Sequence, residues 1–189
     1  MARNYRYFIE PSGNGDGYGQ LELNQVAFRR DGRVEAQCAL DPADFNEYPA
    51  ENGMLLVIDK KNDLIHYPKD GDTNVVYGLN YSAEHLYDER NLGLKNFRLT
   101  PKDFYPRLGY LSVGDRYTTN AIAYDSEDFD DLDAIQQAIS EDRVYAIPCE
   151  EGYHKLTDDP GDSPLVLEAV KYTTMPDGSP AVKFLVIKA

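Results

Sequence analysis

Short runs of apolar or alternating residues recur along this 189-residue chain. Gly, Pro, Asn or Asp separates them at spacings of roughly 8–12 residues, which predicts a β-sandwich or barrel. The clearest case lies at the carboxyl end. Leu165–Thr174 and Ala181–Lys188 flank Met175-Pro176-Asp177-Gly178-Ser179, with Val166, Val170 and Tyr172 in one run and Val182, Phe184 and Val186 in the other at even steps. Period-two placement around an Asp-Gly turn reads as a closing hairpin.

The same turn chemistry predicts a hairpin of Leu21–Arg29 with Val34–Leu40, because Asp31-Gly32 supplies the positive φ angles of a type I′ turn. Met54–Ile58 is an unbroken apolar run, expected to be a strand buried on both faces and paired through Asp59–Asp63 with Leu64–Tyr67. Further strands are expected at Tyr5–Ile9, Val75–Leu79, Arg116–Tyr124 and Arg143–Ile147, with a bulge or tight turn at Gly114-Asp115. Glu150–Ser163 reads as a polar loop, and Asn91–Arg107 as a turn-rich stretch wrapped over the core.

Helical periodicity is convincing only over Asp130–Ser140, where Leu132, Ile135, Ala138 and Ile139 share a face. Ser82–Tyr87 suits one or two turns at most. The expected fold class is therefore mainly β, an antiparallel sandwich or barrel with one short helix at about 130–140 and long loops. One domain over residues 1–189 is expected, with an extended N-terminal segment and a Gly-rich loop at 12–19. That loop lacks the G-K-[ST] ending of a phosphate cradle.

Charge narrows the partners. The chain carries 33 Asp plus Glu against 19 Lys plus Arg, a formal net charge of -14, which repels nucleic-acid backbones and anionic lipid. Protein partners are expected, with no direct nucleic acid and no membrane. The N-terminus has no apolar core of signal-peptide length and no run of 18 apolar residues occurs, so a product kept in a cytoplasm until assembly is expected. Cys38 and Cys149 are far apart and in no ligand-like spacing. Two reduced, buried thiols are the expectation, with a single long-range disulfide as the alternative.

Patterns that would carry chemistry fail one after another. His66, His85 and His154 are scattered, with no H-E-x-x-H or H-x-H spacing. Six carboxylates crowd Asp125–Asp133, yet an EF-hand loop counted from Asp125 would have Asp130 where Gly is needed and Gln136 where a bidentate Glu is needed. Charge at a helix N-terminus explains that run more simply. No catalytic residues, no cofactor and no metal are expected, and the chain is expected not to be an enzyme.

Tyrosine is the outlier in composition, with 15 Tyr, 7 Phe and no Trp. Tyr and Arg are enriched at interface cores, which makes Arg3, Tyr5, Tyr7, Tyr105, Arg107, Tyr110, Arg116 and Tyr117 candidate interface residues. The alternative is that these rings pack on one another across strands.

The phrase Leu-Ser-Val-Gly-Asp-Arg-Tyr-Thr-Thr-Asn at Leu111–Asn120, with Tyr-Gly-Leu-Asn-Tyr at Tyr77–Tyr81 and Gly-Leu-Lys-Asn-Phe at Gly93–Phe97, resembles small structural proteins of tailed bacteriophages, especially head decoration or cement proteins. The resemblance implies a compact, often oligomeric β module that clasps neighbouring capsid subunits and copies of itself. Its place would be the virion, assembled in the host cytoplasm. Rival expectations are a tail-tube or head-tail connector subunit and, outside the virion, a carbohydrate-binding or host-directed binding module.

Overall fold

The structure, a computed structural model, describes residues 5–9, 19–69, 75–82, 98–103, 105–141 and 144–189. The Gly-rich loop at 12–18, the helical turns expected after Ser82, His85 and Arg3 lie outside them.

The described residues are mainly β and sandwich-like, and among them there is no closed barrel. One sheet has eight strands in the order β1 (Tyr5–Tyr7), β10 (Ile122–Asp125), β12 (His154–Thr157), β11 (Tyr145–Pro148), β13 (Val166–Thr174), β14 (Pro180–Lys188), β9 (Arg116–Thr119) and β2 (Leu21–Gln25). The other has six, β3 (Val34–Glu35), β8 (Leu108–Tyr110), β7 (Tyr77–Asn80), β5 (Leu55–Asp59), β6 (Leu64–His66) and β4 (Ala39–Leu40). Pairing is not antiparallel throughout: β10 runs parallel to β12, and β4 parallel to β6. Besides helix α3 (Leu132–Ser140), the described residues form two shorter helices, α1 (Ala27–Asp31) and α2 (Pro42–Phe45).

The closing hairpin forms as β13 and β14, and Val182, Phe184 and Val186 point into the core. β5 and β6 form the second expected hairpin, their turn held by the Asp59 carboxylate, which accepts from the backbone N–H groups of Lys61 and Asn62. β5 is buried on both faces: Leu55 packs with Tyr117 and Phe184, while Leu56 and Ile58 pack with Phe45 and Ile65. This one strand thus serves two cores, each drawing residues from both sheets.

The hairpin expected around Asp31-Gly32 does not form. Residues Ala27–Asp31 coil into α1, and Gly32, at φ 67° and ψ 21°, is its left-handed C-cap. Asp-Gly satisfies a helix end as readily as a hairpin turn. Packing decides: Phe28 is wholly buried, and its ring lies so close to Gly109 of β8 that a Cβ there would sit 2.3 Å from it. Val34–Glu35 then pairs with β8 and Ala39–Leu40 with β6.

Two other expectations also give way. Arg116–Tyr124 is two strands, β9 and β10, because Asn120 leaves the ladder; its Oδ1 accepts from the Gln20 backbone N–H at 2.6 Å. The polar stretch Glu150–Ser163 contains β12, whose His154 and Leu156 are fully buried. Both cysteines are buried free thiols.

Buried polar side chains tie neighbouring loops to each sheet. The Thr119 hydroxyl donates to the Gln20 carbonyl, and the Asn80 amide donates to the Glu51 carbonyl, both at 2.7 Å. Asn80, Thr119 and Asn120 have no exposed surface. Buried groups of this kind are tolerated because they are paired.

Candidate functional site

Where the two sheets meet, an open cleft of about 760 Å³ is lined by residues from five parts of the chain. Helix α2 supplies Asp44, and the loop after it supplies Glu47, Tyr48 and Glu51. Tyr67 follows β6, Glu150, Glu151 and Tyr153 come from the turn between β11 and β12, and Tyr7 comes from β1.

Local chemistry fixes this arrangement. Asp41 caps α2 by accepting from the Ala43 N–H, and Pro42 occupies the first turn, where its missing donor costs nothing. Phe45 anchors the helix in the core and meets Tyr67 at a tilt, with ring centroids 4.3 Å apart. That leaves Asp44 to accept from the Tyr67 N–H at 3.0 Å, with Lys69 3.5 Å away. The turn bearing Glu151 and Tyr153 is tied to the other sheet, because the Leu55 N–H donates to the Gly152 carbonyl at 2.7 Å.

The floor is Glu51, 1% exposed, whose Oε2 accepts from the Gly19 N–H at 2.7 Å and from the Tyr153 hydroxyl at 3.3 Å. Tyr153 meets Tyr7 edge to face at 5.4 Å. Burial, then the negative charge of Glu51, drives the Tyr153 phenol well above the usual range; burial followed by Glu51, Asp44 and Glu151 does the same to Tyr67. Both phenols are therefore neutral hydrogen-bond donors at physiological pH and not bases or nucleophiles. The Oε2 atom of Glu151 is buried and accepts no hydrogen bond. Five carboxylates and four tyrosines thus face one concavity whose lining among the described residues has no Lys or Arg. Such a surface attracts cations and repels anions.

The candidate interface residues do not assemble into one patch. Tyr7 belongs to the cleft. Tyr5 and Tyr7 are held in β1, paired along β10, and Lys155 lies 5.8 Å from the Tyr5 ring. Tyr105 is 56% exposed and Arg107 is exposed at the entry to β8. Tyr110 is a structural post, its ring between Arg33 and Lys60 and its hydroxyl donating to Glu35 at 3.2 Å. Arg116 is exposed beside Gln25, on a strand at the other end of the sheet order from β1.

Tyr117 is not an interface residue. It has no exposed surface, and its hydroxyl donates to His154 Nε2 at 2.7 Å. His154 Nδ1 lies 3.0 Å from the Ala121 carbonyl, which fixes the proton on Nδ1, and the ring stacks on Phe184 at 5.0 Å. Burial, only partly opposed by the Ala121 bond, lowers the imidazole to about 3. This histidine is neutral, saturated and sealed from substrate. Among the described residues no group of three or more His, Cys, Asp or Glu is placed to hold a metal ion.

The reading of the sequence missed Glu51, Tyr67, Glu151 and Tyr153. The faint signal lay in acid and tyrosine recurring together inside loops, at Tyr48 with Glu51 and at Glu150-Glu151 with Tyr153. No family model, no curated protein and no solved structure matches this chain.

Proposed function

We propose that this chain is a non-catalytic binding module that serves as a virion structural protein, a decoration or cement subunit seated on capsid subunits. The binding part of this reading is carried by one observation: the open cleft at the junction of the sheets gathers five carboxylates and the neutral phenols of Tyr67 and Tyr153 on one concave surface. Aromatic rings and fixed charge on a stiff β scaffold suit recognition of another protein.

The biological setting rests on the resemblance at Leu111–Asn120, Tyr77–Tyr81 and Gly93–Phe97. A net charge of -14 fits that setting, since it keeps free copies dispersed and away from packaged DNA. The test is sedimentation of the purified chain with undecorated tailed-phage heads and with a capsid-free lysate. Pelleting only with the heads supports a decoration subunit. Rings formed by the chain alone would move the assignment to a tail tube or connector. A monomer that ignores heads and binds glycan would make it a carbohydrate-binding module.

A further inference from the structure

We infer that the cleft receives an organic cation, an alkylammonium or guanidinium group on a flexible apolar stem. This rests on the binding-module reading and specifies the chemistry of what is bound. At about 760 Å³ the cleft is far larger than a monatomic ion needs and falls in the range of sites for small organic groups. Carboxylates in a concave, low-dielectric setting focus a negative potential outward, which draws in positive groups.

Two features at the wall point to a donor-rich guest. Glu151 is half-buried, with the Cys149 thiol beside its carboxylate, and its Oε2 accepts no hydrogen bond; a guest N–H that draws this oxygen toward the cleft would complete its pairing. Tyr48, 46% exposed, and Tyr7, half-buried with Tyr153 edge to face behind it, offer rings of the kind that attract ammonium and guanidinium groups. The apolar stem would lie along the rings and Met54 while the charged head meets the carboxylates.

A free polyamine and a basic side chain of a partner protein share this chemistry, and calorimetric titration of the full chain separates them. The probes are agmatine, a blocked Gly-Arg-Gly peptide, and the same peptide with citrulline, which keeps the shape and lacks the charge. The expected result is binding of at least one cationic probe, with the citrulline peptide weaker by about tenfold or more. Glu151→Gln and Glu47→Gln should each weaken the cation several-fold without altering the circular dichroism spectrum. Agmatine matching the arginine peptide identifies a free polyamine as the natural guest; binding of the peptide alone identifies a partner's side chain. Absence of heat with both cations, equal affinity for arginine and citrulline peptides, or unchanged affinity in both Glu151→Gln and Glu47→Gln overturns the inference. Should Glu151→Gln fail to fold, the exposed Glu47 and Tyr48 substituted by Gln and Ala carry the same comparison. Head binding that persists in a chain indifferent to cations defeats the cleft and spares the proposed function; cation binding without head binding does the reverse.

Discussion

Tyrosine meets a titratable partner both in the core and in the cleft, and the two places are built to opposite ends. In the core, Tyr117, His154 and Ala121 close a chain of hydrogen bonds with Phe184 stacked across it, and nothing in it reaches solvent. In the cleft, Tyr153 and Tyr67 also donate hydrogen bonds, but the carboxylates around them outnumber the donors and one oxygen of Glu151 is left over. Residue type therefore says little about role. What separates a structural cluster from a binding surface is whether its polar atoms are already paired.

The contrast can be broken by substitution. His154→Ala should destabilise the chain by about 3–5 kcal/mol, since it opens a void and orphans the Tyr117 hydroxyl in one step. Urea titration measures this, and a loss under about 1 kcal/mol would mean that the core pair is not sealed.

Acid should act next. His154 is held at about 3 against an ordinary 6.5, so the unfolded chain takes up a proton that the folded chain refuses. Its contribution is complete above pH 6.5 and declines as pH falls toward 3, at about 1.4 kcal/mol per pH unit and about 3 kcal/mol by pH 4. Burial pushes the Glu35 carboxyl upward, but the Gln37 N–H, Lys60, Tyr110 and Cys38 outweigh it and hold the group at about 2. Below its usual 4.5 this group adds a second loss, running down to about pH 2. Melting curves across pH 3–7 should show the first slope in the parent and lose it in His154→Gln.

Tyr117→Phe should cost about 1–2 kcal/mol, because it strips the buried His154 Nε2 of its donor while keeping the ring. Glu151→Gln should shift stability by less than about 0.5 kcal/mol yet weaken cation binding several-fold. A large stability change there would assign Glu151 to the architecture and dissolve the contrast.

Much of the fold was legible because its strongest signals were local. The β13–β14 hairpin, the β5–β6 hairpin and α3 each declare themselves through period and turn chemistry inside one short window. Asp31-Gly32 misled because the same dipeptide ends a helix, and the choice was made by Phe28 against Gly109, residues 81 positions apart in the sequence (109 minus 28). β12 was hidden among acids and glycines, since His154-Lys155-Leu156-Thr157 is too short to show a period. Tyr117 looked like surface because Tyr and Arg alternate with Thr around it; the histidine that buries it is 37 residues away. The cleft was the least visible feature, since its residues lie on widely separated segments and only folding makes them neighbours.

β14 lies between β13 and β9, and β2 joins the eight-stranded sheet only through β9. A nascent chain that has not yet extruded Pro180–Lys188 therefore holds two half-sheets with no strand to bridge them. Assembly of the larger layer must await synthesis of that segment, and a ribosome stalled before it would leave the backbone edges of β9 and β13 without their partner.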